Sequence, residues 1–241
     1  MNRNIISVCF TPEQFYHYSD LNSIVVVVDV LRATSVISTV FEYGINAVVP
    51  VKSIDEALVY KDKNEYIIAA ERNTNIVQGF EFGNSPFHYI NKDIKNKKLV
   101  LTTTNGTKAI HLASKHTVIT ASFININAVV DFLIKEERDV IILCSGWKNI
   151  FNLEDSIFAG KLSSLLIDTK RFTTNCDSLL ASQELFTNAR KDVFSFLNYS
   201  SYRNRNNSKE LIRDTEFCLS PPISSDIIPL FVSGELIKHY R

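Results

Sequence analysis

Residues 24–28 are Ile-Val-Val-Val-Val, and Asp29 ends the run. A strand that is apolar at every position is buried on both faces, so other layers must cover its sheet on either side. The rest of the chain supplies those layers. Short β-branched runs at AVVPV (47–51), YIIAA (66–70), KLVLT (98–102), HTVIT (116–120) and DVIILC (139–144) alternate with helical patterns. Helices are expected from about Thr34 to Tyr43, stopped by Gly44, and over SIDEALVY, where Ser53 and Glu56 are spaced as a capping box. Others are expected from near Asn105, over INAVVDFLIKE (126–136), and over NLEDSIFAGKLSSLLI (152–167) with Asn152 as N-cap. The alternation predicts an α/β fold, a three-layer α/β/α sandwich on a largely parallel or mixed sheet.

Past residue 170 the pattern is looser. Residues 176–202 are helical in period, YRNRNNSK (202–209) is expected to be a solvated surface loop, and CLSPPISSDIIPLF returns to strand-like residues broken by prolines. No repeat or linker divides the chain. Residues 1–241 form one structural unit on this reading, with a division near residue 120 as the alternative. The segment ERNTNIVQGFEFGNSPFHYINKD (71–93) is too long for an ordinary connector, and loops of that length in compact domains are usually functional.

Composition narrows the partners. With 26 basic and 26 acidic residues the formal net charge is zero, so no long-range field gathers nucleic acid or a membrane surface. The four cysteines (Cys9, Cys144, Cys176 and Cys218) are scattered, which argues against a zinc site or a disulfide framework and for reduced thiols. MNRNIISVCF lacks the apolar stretch of a signal peptide, and IVVVVDVL is too short to span a bilayer. A soluble cytoplasmic protein is expected.

In open α/β sheets ligands bind beyond the carboxyl ends of the strands. Past IVVVV stand Asp29, Arg32, Thr34 and Ser35; past YIIAA stand Glu71, Arg72 and Asn73. Past KLVL come Thr102, Thr103, Thr104, Asn105, Gly106 and Thr107; past DVIIL come Cys144, Ser145 and Gly146, then Glu154 and Asp155. If the strands are parallel, these four sets meet along one edge. Asp29, Glu71, Glu154 and Asp155 are hard oxygen ligands suited to Mg²⁺. Arg32 and Arg72 are forked donors suited to phosphate or sulfonate. The Thr-Asn-Gly turn (Thr103 to Thr107) offers hydroxyls and N–H groups at a helix start, and Ser145 and Gly146 add backbone donors. Together these are the parts of a metal-assisted phosphoryl transfer.

Plainer roles stand beside each assignment. Asp29 can cap the turn after its strand, Glu154 and Asp155 suit the first turn of a helix, Arg72 beside Glu71 can be a surface pair, and the Thr run can be strand followed by cap. Covalent routes lack their motifs. There is no GxxxxGK[ST] loop, Ile150 stands where a Cys-x5-Arg loop at Cys144 needs its arginine, and the five histidines make no metal-spaced cluster. Attack by metal-activated water is the simpler route.

These segments resemble the 2-phosphosulfolactate phosphatase family. The matching stretches are VVVVDVLRATS (25–35), ERNTNIVQGFEFGNSP (71–86), LTTTNGTKAI (101–110), CSG (144–146) and NLEDSIFAG (152–160), with looser matches at DSLLAS (177–182) and FCLSPPISSDIIP (217–229). The resemblance departs at Ala70, in WKNIFN (147–152), and near Asp226. It implies a three-layer α/β fold and a Mg²⁺-dependent phosphatase that converts 2-phospho-3-sulfolactate to sulfolactate and phosphate, a step of coenzyme M biosynthesis. Asp29, Glu71 and Arg32 are then the catalytic candidates, the substrate is a small polyanionic phosphoester, and a homodimer is compatible. Two alternatives remain open: a same-family phosphatase for another small anionic phosphoester, and an anion-binding protein without turnover.

Overall fold

The structure is a computed structural model that describes residues 3–18 and 20–240. In chain order its elements are β1 (Asn4–Cys9), β2 (Ile24–Val28), α1 (Ala33–Glu42), β3 (Ala47–Pro50), α2 (Ile54–Leu58), β4 (Tyr66–Arg72), β5 (Asn75–Ile76) and β6 (Lys98–Thr102). Then follow α3 (Gly106–Leu112), β7 (Thr117–Ala121), α4 (Ile126–Glu136), β8 (Val140–Cys144), α5 (Leu153–Asp168), β9 (Phe172–Thr173) and α6 (Asp177–Ala189). Last come α7 (Val193–Phe196), α8 (Ser201–Arg205), α9 (Lys209–Leu219), β10 (Ile227–Val232) and β11 (Glu235–Tyr240). The fold is α/β, as expected, with helices around one large mixed, mostly parallel sheet in the order β5-β4-β6-β3-β11-β10-β7-β2-β8-β1-β9.

All five residues of β2 are buried, as its unbroken apolar run requires. It lies between β7 and β8, parallel to both. Ile24, Val26 and Val28 face α4 and α5 in one apolar cluster, while Val25 and Val27 face α1 and α3 in another. Gly44, with φ +96°, ends the turn after α1 in the left-handed backbone region that glycine tolerates best. Ser53 caps α2, accepting from Glu56 N at 3.1 Å; the Glu56 carboxylate reaches Lys52 N at 2.9 Å, one residue short of the capping-box partner. Gly160 lets α6 close on α5, because a Cβ there would stand 1.9 Å from Ser182 O.

The β10–β11 hairpin joins two parallel blocks. β11 is antiparallel to β3, β10 to β11, and β10 to β7. The β4-β6-β3 block and the β7-β2-β8-β1-β9 block therefore run in opposite senses along the ladder. In a flat sheet their carboxyl ends would leave from opposite edges. A twist of about 20–25° per strand pair turns β6 relative to β2 by roughly 100–125° over the five steps between them. The sheet thus coils around α1 and α3: one buried cluster takes Val25 and Val27 from β2, Leu99 and Leu101 from β6, Val36 and Val40 from α1, and Ile110 from α3. That coil brings the ends of β2, β4 and β6 to one place.

One expectation needs correction, and two segments left without an element by the sequence pattern take one. Residues 202–209 are not a solvated loop: Tyr202 and Asn206 are buried, and α8 begins at Ser201. The local polarity misleads because the tyrosine, not the charges, fixes this turn to the core. Residues 209–219, given no element by the sequence pattern, form α9, which buries Asp214, Thr215, Phe217, Cys218 and Leu219. The N-terminal NIISVC is strand β1, covered on both sides by β8 and β9. No helix among the described residues is long and apolar enough to cross a membrane.

Candidate active site

A small pocket opens where β2, β4 and β6 end. Its lining includes Asp29 and Arg32 from the turn after β2, Glu71 and Thr74 from the end of β4, and Asn84 from the long loop. Thr103, Thr104 and Asn105 come from the turn after β6, Trp147 from beyond β8, and Tyr202 from α8. Six residues singled out in the sequence (Asp29, Arg32, Glu71, Thr103, Thr104 and Asn105) are therefore brought together.

The turn after β2 is fixed by its own hydroxyls. Thr34 Oγ1 accepts from Asp29 N at 3.2 Å, Thr34 N donates to Asp29 O at 2.9 Å, and Ser35 Oγ donates to Val30 O at 2.8 Å. Next to it, α3 starts as close as a backbone can. A Cβ on Gly106 would stand 2.7 Å from Asp29 Oδ2 and 2.8 Å from the Ala33 Cβ, so this position admits only glycine without a shift. Thr103 and Thr107 lock the turn between β6 and α3: each backbone N–H donates to the other's hydroxyl at 3.3 Å. Thr104 lies between them, its hydroxyl buried and without a partner.

Arg32 is buried and held from behind. Nη1 pairs with Asp214 Oδ2 of α9, and Nη2 donates to Thr74 O at 3.3 Å. Ser85 Oγ donates to the other Asp214 oxygen at 2.7 Å. Only two of the five guanidinium N–H donors are used this way, which leaves the rest for a ligand. The Leu31–Arg32 peptide is cis. Glu71 is buried, and its Oε1 accepts from Thr74 N.

Other sequence candidates take supporting places. Arg72 does not line the pocket; Nη1 donates to Glu71 O at 2.6 Å and Nη2 to Thr102 Oγ1 at 3.0 Å, tying β4 to β6. Asp155 is a fully buried bracket. Its Oδ1 accepts from Val30 N at 2.9 Å, and its Oδ2 from Gly146 N at 3.2 Å and Asn152 Nδ2 at 2.9 Å. It thereby holds the turns after β2 and β8 together through the N-cap of α5. Gly146 N is thus engaged, and Ser145 N donates to Val28 O at 2.8 Å, so neither backbone donor is free for a ligand. Both Ser145 Oγ and Glu154 Oε2 are buried without a partner.

Electrostatics mark the same place. Burial, then the Asp155 and Glu71 carboxylates, push the Asp29 carboxyl up to about 8. Burial pushes Glu154 up to about 7, with the Asp29 charge adding to it, and burial with the Glu154 charge does the same to Asp155. Of eight buried side-chain atoms without a hydrogen-bond partner among the described residues, three belong to residues that line this pocket: Asn84, Thr104 and Tyr202. Since buried polar groups are nearly always paired, such a concentration marks a place built for something else to bind. No three His, Cys, Asp or Glu side chains are grouped into a ready cage among the described residues. Mg²⁺ does not require one, because it takes one or two carboxylates with water and substrate oxygens. The Asp29 and Glu71 carboxylates, side by side in the pocket, fit a divalent cation.

Sequence reasoning missed Thr74, Asn84, Ser85, Tyr202 and Asp214. The first three lie in the long loop already marked as functional. The last two sit at distant points of the chain with no local signal, and only the packing of α8 and α9 brings them in.

Comparison with known proteins gives the family. The family model for 2-phosphosulpholactate phosphatase matches residues 9–234. A protein of Thermotoga petrophila is 38% identical over 88% of this chain and 90% of its own length. One of Clostridium novyi is 35% identical over 90% of this chain and 92% of its own, and one of Carboxydothermus hydrogenoformans is 35% identical over 93% and 92%. Each is named as a probable 2-phosphosulfolactate phosphatase. Spanning the strands, the pocket and the bracket around it, these matches show that the chain belongs to the 2-phosphosulfolactate phosphatase family.

Proposed function

We propose that this protein hydrolyses 2-phospho-3-sulfolactate to sulfolactate and inorganic phosphate, with Mg²⁺ as cofactor and water as nucleophile. The observation that carries the reading is one buried pocket holding the carboxylates of Asp29 and Glu71, the Arg32 guanidinium and the hydroxyl-rich turn at Thr103 to Asn105. Carboxylates alone would repel a phosphate; carboxylates holding a cation beside a guanidinium would bind one.

Asp29 and Glu71 are the side chains that would hold Mg²⁺ in the pocket, with Glu154 behind Asp29 as a further oxygen donor. When bound, the ion supplies positive charge beside the phosphoryl group and acidifies water. Arg32 binds phosphoryl oxygens through its unused N–H donors, and Asp214 fixes its direction. Thr104 Oγ1 donates to a further oxygen, in a turn that Thr103 and Thr107 keep from moving. In the reaction the oxygen of water bonds to phosphorus, the ester P–O bond breaks, and the leaving alkoxide takes a proton from solvent water. A carboxylate of the Asp29–Glu71 pair accepts the proton that the water loses. Cys144 is no rival nucleophile, since burial raises its thiol well above the ordinary value and keeps it neutral. The cytoplasmic location, the single structural unit and a homodimer belong to the same reading; light scattering of the purified protein tests the dimer.

The test is phosphate release from 2-phospho-3-sulfolactate in Mg²⁺ and in chelator, for the wild type and Asp29→Asn. Mg²⁺-dependent turnover that falls by orders of magnitude in Asp29→Asn is expected. A wild type that releases no phosphate refutes the reading.

A further inference from the structure

A second lobe adjoins the reaction pocket. Thr104 and Asn105 line both, so the two spaces share one wall. The second lobe is a larger, open cleft, lined also by Lys108 of α3 and by Ser145 and Lys148 from the turn after β8.

Its chemistry is one-sided. No carboxylate lines it; Glu13 meets it only through Asn149, whose Nδ2 donates to Glu13 Oε1 at 3.5 Å. Neither lysine belongs to any of the three ion pairs found among the described residues. Ser145 is 1% exposed, and its hydroxyl has no partner. A buried hydroxyl without an acceptor is costly unless a ligand supplies one. The lobe therefore offers two cations and an unsatisfied hydroxyl, with no opposing negative charge.

The turn carrying Lys148 is fixed in place. Lys148 N donates to Asn105 Oδ1 at 3.1 Å, and Trp147 N and Ile150 N exchange hydrogen bonds with Ile150 O and Trp147 O at 2.8 and 2.9 Å. Lys148 and Asn149 hold φ of +52° and +64°, a conformation that non-glycine residues rarely keep without reason. The Lys148 ammonium rests over the Trp147 ring, 5.4 Å from its centre, and Trp147 in turn walls the reaction pocket.

We propose that this lobe is the subsite for the sulfonate of the substrate, held by Lys108, Lys148 and the Ser145 hydroxyl. The inference rests on the function proposed above. In 2-phospho-3-sulfolactate the carboxylate shares its carbon with the phosphate ester, whereas the sulfonate hangs from the next carbon. With phosphate and carboxylate in the smaller pocket, the sulfonate is the group that extends past Thr104 and Asn105. A sulfonate stays ionised at any working pH and accepts from several directions, so two ammonium groups and a hydroxyl can each reach one of its oxygens. Lys108 and Lys148 are then specificity-determining residues.

The experiment compares 2-phospho-3-sulfolactate with 2-phospholactate, which has the same skeleton without the sulfonate. kcat and KM are measured for the wild type, Lys108→Ala/Lys148→Ala and Ser145→Ala. Both lysines are exposed, so the double variant is expected to fold, and its melting temperature checks this. The expected result is a selectivity for the sulfonate substrate, as a ratio of kcat/KM, that falls about tenfold in the double variant, mainly through KM, the size of two partly solvated charge contacts. An unchanged ratio in a variant that still turns over both substrates overturns the subsite alone. A wild type that releases phosphate from neither overturns the functional reading and the subsite with it.

Discussion

Asp214 is the residue whose removal tests the site architecture most directly. The Arg32–Asp214 pair is 5% and 4% exposed, so almost no water screens it. Asp214→Asn keeps the shape and removes the charge. It leaves a guanidinium buried with only Thr74 O as a partner, and the amide that replaces one oxygen faces that cation. Breaking a buried pair from one side costs about 3–5 kcal/mol. Thr74 O and the acceptor retained for Ser85 Oγ place this case near the lower end, about 3 kcal/mol. For a chain of this length that is a fall of roughly 6–12 °C in Tm. Urea unfolding of the wild type and the variant measures it, with Glu235→Gln as the control. Glu235 pairs with Lys98 at 2.7 Å but the pair is 28–35% exposed, and such pairs contribute about 0–1 kcal/mol. The double variant Arg32→Met/Asp214→Leu separates charge from packing: it should recover most of the lost stability and remain inactive. If Asp214→Asn costs no more than Glu235→Gln, water reaches the pair and the account of how Arg32 is held is wrong.

Two further outcomes follow from the same geometry. Gly106→Ala places a methyl 2.7 Å from Asp29 Oδ2, so it should cost about 1–3 kcal/mol by overpacking and abolish turnover, whereas Gly79→Ala, with open space around it but φ of +88°, should cost stability through backbone strain and leave kcat intact; thermal melts and phosphate release read both. In chelator, stability should fall as the pH rises from about 4 to about 8: Asp29, Glu154 and Asp155 are held near 8, 7 and 7 in the folded chain, so it binds more protons than the unfolded chain throughout that window. Added Mg²⁺ should flatten the slope, and a Tm in chelator that rises between pH 5 and pH 8 would contradict the crowding of these carboxylates.

Much of the fold could be seen in the sequence wherever a segment's pattern depends on its immediate neighbours. The unbroken run of β2 announces burial on both faces. INAVVDFLIKE matches α4 at both ends, because its apolar period and polar flanks agree. Asn152 caps α5 as expected, accepting from Asp155 N at 3.3 Å. Other features depend on distant parts of the chain. Asp155 looks like a metal ligand in sequence, since an acid in a first helical turn carries no mark of its partners; in the structure its oxygens bracket two loops. Arg72 adjoins Glu71 in sequence, yet alternation along β4 sends its guanidinium to Thr102 and not to the pocket. Tyr202 lies among polar residues that suggest solvent, and only the pocket wall shows why it is buried.

The hairpin that joins the two parallel blocks has a consequence for how the chain is made. Every residue of the pocket, from Asp29 to Tyr202, leaves the ribosome before β10 begins at Ile227. Until the hairpin emerges, β3 and β7 each keep one unpaired edge, and such edges invite pairing with other chains. The contacts that close them are also among the longest in the sequence, from Val48 to Leu236 and from Ile119 to Leu230, so they form late and slowly. Translation therefore passes through a stage in which the chemistry-bearing residues all exist but the two halves that carry them are not yet one sheet. In that interval the edges of β3 and β7 are exposed, and the speed with which the last hairpin docks decides how long they stay so.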